Sequence, residues 1–423
     1  MAVSIENFLN IGRKIIPRPI FRLLQIPYHF ILAYFGALIY GFPSKRLKIV
    51  GVTGTKGKSS TIYILEKIFG EAGKKIGIIS SLTNSSHQTM PGRFKIQKAL
   101  KEFVDSGCEF VFLEVTSEGI RQFRHRFINF YAAIFTNLAP EHIESHGSFE
   151  KYREAKLKLF RHTKNIHIIN KDDENSSYFL NSQTGGKALK KITYSLTNWM
   201  DYPVKIKLKL PGEFNFYNMI AATTFANIEG VDFKTIKKAI EKIEVIPGRM
   251  ESISEGQNFK VIIDYAHTPD SLEKVYQTLG KFKSQKTKSK LICVLGAAGG
   301  GRDKWKRPIM GEIAGRYCEK VILTNEDPYN EDPEEIIRQI ERGLVKTEYF
   351  TENYWKILDR QEAIKKVLQL AGKNDTVVIT GKGVEPSIIA KGKVIPWNEK
   401  DIVKYELKKL LETCIKNTRS KMA

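Results

Sequence analysis

The 423-residue chain has only four cysteines, Cys108, Cys293, Cys318 and Cys414, and no two of them form a CxxC pair. Their scarcity and wide spacing argue against both a zinc centre and a disulfide framework, and suit a reducing cytoplasm. Internal repeats and low-complexity tracts are also missing, which excludes solenoid and linker-type architectures. A cleavable secretion signal is not expected, because the apolar stretch begins near residue 20 and no small-residue cleavage site follows it.

Long hydrophobic runs are equally scarce. The 17 residues from Ile26 to Phe42 contain no Asp, Glu, Lys or Arg, yet a spanning helix needs roughly 20 apolar residues, and Pro27 and Gly36 interrupt this run. With Arg13, Lys14, Arg18 and Arg22 just upstream, the stretch is expected to form a buried helical hairpin or an interfacial anchor. Two readings stay open for it: a peripheral contact with the inner face of the membrane through residues 20–42, or burial against the rest of the protein or a partner subunit.

Acid is in deficit as well, with 46 Asp plus Glu against 68 Lys plus Arg and a net charge of +22. Such a balance favours anionic partners such as nucleotides, phosphosugars, nucleic acid or anionic lipid. No helicase-like motif and no patch of interleaved aromatic and basic residues accompanies it, so no nucleic acid is expected as a partner.

What is present is enough apolar residue, 42%, for more than one core, and the length suggests two or three domains. Short β-branched runs alternate with amphipathic stretches, the pattern of an α/β protein with largely parallel sheets. Strands are expected at 47–53, 75–79, 110–115, 132–136, 166–170, 260–264, 291–295, 320–324 and 376–380. Helices are expected at segments such as 60–71, 149–160, 218–228 and 334–344. "VKIKLKLPGEFN" (204–215) reads as an alternating strand followed by a turn. A break at "IPGRME" (246–251) divides the chain into a short apolar segment (1–46), a central phosphate-loop domain with a mostly parallel sheet (47–245) and a C-terminal Rossmann-like α/β domain (246–423).

Residues 48–61, "KIVGVTGTKGKSST", place a β-branched strand, a glycine-bearing loop and a Lys-Ser helix start in succession. Backbone N–H groups of such a loop can cradle phosphate oxygens, Lys58 can reach the terminal phosphates, and the hydroxyl of Ser59 or Ser60 can hold Mg²⁺. The pattern G-x-x-x-x-G-K-[ST] is not met strictly, since Val52 stands five residues before Gly57. Further on, the run 110–115 ends beside Glu114, where ligands of parallel sheets usually sit. Alone, that Glu reads equally as a helix cap or a salt-bridge partner. Asp264, ending another expected strand, would also suit plain capping.

"GVTGTKGKSS" resembles the phosphate loop shared by Mur ligases and folylpolyglutamate synthases, and the likeness continues through "EVTSEGI" (114–120), "FTNLAPEHIESHG" (135–147), "YREAKLKLF" (152–160), "GEFNFYNMIAA" (212–222), "IPGRME", "IIDYAHTPDSL" (262–272) and "GKGVE" (381–385). The stem-peptide ligases of the Mur family carry these segments in this order. The resemblance implies an ATP-dependent amide ligase working through an acyl phosphate, with a muramyl-peptide-type acceptor and an amino acid as substrates. It assigns ATP to Gly54, Thr55, Lys56, Gly57, Lys58, Ser59, Ser60, Asn215, Asn218, Arg249 and Asp264, and two Mg²⁺ ions to Ser59, Glu114, His142 and a carbamylated Lys156. Lys58, Glu114, His142 and Lys156 are the implied catalytic set.

For the acceptor it implies Thr89, Thr116, Gln122 and Arg124. On the amino-acid side it implies His267, Arg302, Asp327, Tyr329, Gly381 and Glu385. Two departures stand out. Glu118 occupies a position held by His in the family, and "NEDPYNEDP" (325–333) lies where the diaminopimelate-adding enzymes have DNPR, so Tyr329 replaces the specificity arginine. Meso-diaminopimelate is therefore not expected as the added residue. The stem-peptide ligases also carry a longer segment ahead of the phosphate loop; in this respect the chain resembles the folylpolyglutamate synthases, which leaves a glutamate-adding or polymer-forming ligase as the alternative.

Overall fold

The computed structural model describes residues 18–83, 89–182, 190–199, 203, 205–280, 289–347 and 353–422, with the side chains of 18–26, 414 and 416–422 left aside. Six strands, β1 (Lys48–Thr53), β2 (Ile76–Ile79), β3 (Phe110–Glu114), β4 (Phe130–Phe135), β5 (Ile166–Asn170) and β6 (Lys190–Tyr194), form one sheet in the order β2-β3-β1-β4-β5-β6. Every pairing in it is parallel. A second sheet, in the order β11-β10-β9-β12-β8-β7, contains β7 (Glu251–Ile253), β8 (Lys260–Asp264), β9 (Leu291–Leu295), β10 (Lys320–Leu323), β11 (Tyr354–Lys356) and β12 (Thr376–Thr380). It is parallel except for β7, which runs against β8. The chain is thus mixed α/β, as its alternation of runs predicts.

Parallel strands need crossovers, and the helices that supply them cover both faces of each sheet. Alternate residues of β1 show this: Val50 and Val52 pack towards Ile64, Ile68 and Phe225, while Ile49 packs towards Leu100, Leu159 and Phe160. The second sheet divides in the same way, with Cys293 and Leu295 on one side and Ile292 and Val294 on the other. Because β1, β3 and β4 run in parallel, their C-terminal ends, and the loops that follow them, open on one edge. The first of those loops leads into α2 (Lys58–Glu71), and α3 (Arg93–Asp105), α4 (Ser117–Arg121), α5 (Ile143–His146) and α6 (Phe149–His162) follow.

Two expectations are corrected. Residues 205–209 form no strand, although their alternation KIKLK suits one; Ile206 and Leu210 instead bury their side chains against the core around α2, while Lys207 and Lys209 reach Glu241 and Glu244. Period-two burial of an extended segment was achieved without a sheet partner. The apolar N-terminal stretch is not a hairpin: it is a single helix, α1 (Arg18–Ile39), which runs through Pro27 and ends where Gly41 takes a φ of 70°. Among the described residues no helix is long and apolar enough to cross a membrane.

Candidate active site

The loop between β1 and α2 folds tightly because its glycines allow it. A Cβ on Gly54 would stand 1.9 Å from Thr136 Oγ1, and one on Gly57, whose φ is 85°, would stand 2.3 Å from Asn218 Oδ1. The loop is pinned from the next strand: Thr55 N donates to the Asn137 carbonyl, Lys56 N to Asn137 Oδ1, and Thr136 Oγ1 and Asn137 Nδ2 both donate to the Lys56 carbonyl. Thr55 Oγ1 lies 3.0 Å from the buried Tyr152 hydroxyl of α6. Ser60, buried in the first turn of α2, faces the cleft beside Gly57.

Inside this cradle the Lys58 ammonium turns back to donate to the carbonyls of Gly54 (3.0 Å) and Thr55 (2.8 Å). The Lys156 ammonium, from α6, donates to the same Gly54 carbonyl at 2.7 Å. Two cations on one oxygen are costly in a site where Lys156 is only 2% exposed. Burial lowers both pKa values, most strongly that of Lys156, where Lys58 adds to the effect. The neutral amine of Lys156 is therefore far more available than that of an exposed lysine.

At the end of β3, Glu114 Oε2 accepts from Ser59 Oγ (3.0 Å), Ser81 N (3.1 Å) and Ser81 Oγ (3.3 Å). A hydroxyl and a carboxylate oxygen side by side are hard donors of the kind Mg²⁺ takes. Among the described residues no three His, Cys, Asp or Glu side chains form a metal cage. His142 stands just before α5 with φ 58° and makes no side-chain capping bond, and burial lowers its pKa to about 4, which favours the neutral ring. The structure brings its ring to 6.1 Å from Tyr152 and records no hydrogen bond from it to Ser59 or Glu114.

A cavity of about 420 Å³ lies between the two sheets, lined by Lys56, Ser60, Asn218, Phe214, Arg249 and Asp264 among others. Asn218 donates to Asn215 Oδ1, and Asn215 itself donates to the Pro211 carbonyl. The Arg249 guanidinium stacks over the Tyr265 ring at 4.5 Å and reaches Ser59 Oγ at 3.5 Å, linking the second sheet to the phosphate loop. The Asp264 carboxylate accepts from Met250 N and Ala266 N, so it caps the turn after β8 while it lines the cavity.

The four acceptor candidates share one wing of the cleft. Thr116 caps α4 by accepting from Gly119 N, Gln122 Nε2 donates to Glu118, and Arg124 donates to Gln122 Oε1 and the Met90 carbonyl. Thr89, half-buried, adjoins Met90. Glu118, the residue that departs from the family pattern, also accepts from Ser145 Oγ and pairs with Arg121. The opposite wing gathers Asp327 and Glu385 around the Lys382 ammonium at 2.8 and 2.6 Å. Tyr265 OH donates to Glu385, His267 Nδ1 meets the Tyr265 carbonyl, and Arg302 faces Tyr329, whose phenol burial pushes up in pKa while Arg302 pulls it down. Gly381 suits its place beside them, because its φ of 111° is one that side-chain-bearing residues rarely adopt.

Residues 52–202 match the model of the Mur ligase middle domain, and residues 248–383 that of the Mur ligase glutamate ligase domain. A UDP-N-acetylmuramoyl-L-alanyl-D-glutamate--2,6-diaminopimelate ligase of Clostridium botulinum is 34% identical over 409 residues, covering 90% of this chain and 82% of the relative. The chain belongs to the Mur ligase family. A second such ligase, from Clostridium tetani, is 36% identical over 414 residues, covering 90% and 81%. A solved structure of the same kind of ligase superposes with a TM-score of 0.55 at 30% identity, over 86% of this chain and 79% of that one. Folylpolyglutamate synthase of Mycobacterium tuberculosis superposes with a TM-score of 0.65 at 14% identity, over 84% and 95%, a likeness of fold. As a Mur ligase, the protein is an ATP-dependent, ADP-forming ligase that uses Mg²⁺.

Several site residues escape a reading by motif roles. Glu141 is 7% exposed and joins Lys56 Nζ (3.2 Å) to His267 Nε2 (3.5 Å) across the cleft. Asp303 accepts from the N–H groups of Ile143 and Glu144 at the start of α5. Lys382 and Tyr265 sit inside "GKGVE" and "DYAHTP", and no sequence signal marks them, because Asp327 comes to Lys382 and Glu385 to Tyr265 only through the fold.

Glu326 is buried, its Oε2 has no hydrogen-bond partner among the described residues, and burial pushes its carboxyl up from 4.5 to about 7. The folded protein then holds a proton that the unfolded chain releases, so this contribution is complete below pH 4.5 and lost as pH rises through 7. Glu326→Gln, which does not titrate, should therefore gain on the wild type by up to roughly 3 kcal/mol between pH 4 and about pH 8. Urea midpoints measured across that range check this; two curves that stay parallel contradict it.

Proposed function

We propose that this Mur ligase joins an amino acid to the free carboxylate of a muramyl-peptide-type acceptor in the synthesis of peptidoglycan precursors. The observation that carries the reading is the convergence of Lys58 and Lys156 on the Gly54 carbonyl, beside the Ser59–Glu114 pair, within a chain 34% identical to a ligase of that substrate class. Residues 47–245 and 246–423 act as the two halves of the cleft.

In this reading the acceptor carboxylate attacks the γ-phosphate of ATP, and the resulting acyl phosphate is opened by the incoming amine, releasing phosphate. Gly54 to Ser60 hold the phosphates, Asn215 and Asn218 the adenine, Asp264 the ribose, and Arg249 the phosphates from the second sheet. Lys58 leaves its two carbonyl partners for the γ-phosphate and stabilises the charge that develops there. Magnesium, when bound, draws charge off the phosphate oxygens, with Ser59, Glu114, His142 and Lys156 as the groups that would hold two ions. The neutral Lys156 amine adds to carbon dioxide and loses a proton, giving a carbamate; the buried cation becomes an anion that can face a metal.

Thr89, Thr116, Gln122 and Arg124 position the acceptor, while His267, Arg302, Asp327, Tyr329, Gly381 and Glu385 position the amino acid. The enzyme works in the cytoplasm.

Lys58→Ala removes a phosphate-contacting ammonium and no core contact, so acceptor-dependent ADP release should fall by at least ~100-fold with the circular dichroism spectrum unchanged. Normal turnover in that variant contradicts the loop assignment. Lys156→Ala should lose activity too and regain part of it with added short carboxylic acids; a mass spectrum and activity unaffected by carbon dioxide depletion count against the carbamate.

Tyr329 offers no bidentate partner for a distal carboxylate. Phosphate release measured with a panel of amino acids, against UDP-linked, lipid-linked and folate acceptors, should show a muramyl-peptide acceptor and no preference for meso-diaminopimelate over lysine, ornithine or neutral amino acids. A folate acceptor alone supporting turnover overturns the substrate class.

A further inference from the structure

Helix α1 is built inside out over residues 27–39. Its small residues face the protein: Ala33 and Ala37 are 2% and 0% exposed, and a Cβ on Gly36 would lie 3.6 Å from the Arg93 carbonyl of α3. Its large apolar residues face outward, with Ile31 50%, Phe35 48%, Leu38 46% and Ile39 66% exposed. A surface helix in water does the reverse, burying its large apolar stripe and exposing small or polar residues. The outward face is also braced: Phe30 and Tyr34 pack edge-on against Phe127, and Tyr34 against Phe42. It is a fixed apolar surface of several large side chains on one helix, the kind that marks an interaction site.

Charge decides what could cover it. Between Glu6 and Glu66 the sequence contains no Asp or Glu, while Arg13, Lys14, Arg18, Arg22, Lys45 and Arg46 all fall before the first strand. Lys45 and Arg46, which follow the helix, are exposed. An apolar, aromatic-bearing helix face flanked by charge of one sign suits the boundary of an anionic bilayer, where rings and alkyl groups enter the acyl edge and ammonium groups meet headgroup phosphates. A second copy of the chain would set the same positive residues against each other.

We propose that the outward face of α1, centred on Ile31, Phe35 and Ile39, docks the protein in the plane of an anionic lipid surface. The helix lies along the interface and does not cross it. The proposal rests on the helix alone and is independent of which acceptor the cleft takes.

The test uses the full chain and vesicles of phosphatidylcholine with or without phosphatidylglycerol. The wild type should co-sediment with the anionic vesicles, less so at high salt, and poorly with phosphatidylcholine alone. Ile31→Ser, Phe35→Ser and Ile39→Ser combined should weaken binding by roughly 10-fold or more, and Lys45→Glu with Arg46→Glu should weaken it and reduce its salt dependence. ADP release with a soluble acceptor should be unchanged in both variants, so membrane binding and ligase activity are scored separately. Absence of wild-type binding, or equal binding by the triple serine variant, overturns the proposal. So does a wild-type dimer that the triple variant converts to monomers without any effect of lipid, because a second copy then covers the face.

Discussion

The site is organised around buried positive charge that the protein does not fully balance. Lys56, Lys58, Lys156 and Arg249 gather at the same loop, and the acidic groups set among them are Glu114, Glu141 and Asp264, the first of which is also hydrogen-bonded to three serine donors. Placing cations in a low-dielectric cleft costs free energy unless anions join them. Carbonyl oxygens of the loop offset part of that cost. The tight turn at Gly54 and Gly57, the Asn137 clamp and the Thr55–Tyr152 contact all serve to aim those carbonyls inward.

That constraint explains why two separate sheets must meet at one cleft. Each parallel sheet presents loops at the C-terminal ends of its strands, where ligands of open α/β sheets bind. Here β1, β3 and β4 contribute the phosphate loop, Glu114 and the segment leading to His142, while β8 contributes Asp264 and Tyr265. The two edges are tied by polar contacts: Arg249 to Ser59, Glu141 to His267, and Asp303 to the start of α5. These ties are few and partly solvated, which suits a cleft whose walls must separate to admit substrates and approach to exclude water.

The fold was legible where burial on both faces leaves uninterrupted apolar runs. The strands 166–170, 260–264, 291–295 and 376–380 appear with the bounds their sequences suggest, because such runs are bounded by polar turn residues. Of the edge strands, β2 was legible and the other three were not: β6 reads KKITY and is mostly solvated, and β7 and β11 are three residues long. Pro27 reads as a break, yet α1 continues through it. Motifs located the cleft but not its internal pairing. Nothing in "GKGVE" announces that Lys382 will occupy both Asp327 and Glu385, since those partners lie 55 and 3 residues away and meet only through the sheet.

That pairing shapes the wing proposed to position the amino acid. Asp327 and Glu385 share the single Lys382 ammonium, and the Glu326 oxygen next to them carries no partner among the described residues. Tyr329 completes the wall in a conformation unusual for a bulky residue, with φ 54°. It is held there from both sides: its N–H donates to the Ile389 carbonyl, and the Lys391 N–H donates to its own carbonyl, so the hairpin of β13 (Ser387–Ala390) and β14 (Lys393–Pro396) fixes the ring against Arg302. Strain of this kind persists only where surrounding structure over-determines it. The hairpin, a two-stranded piece with an exposed outer strand, therefore sets this wall of the cleft beside Arg302.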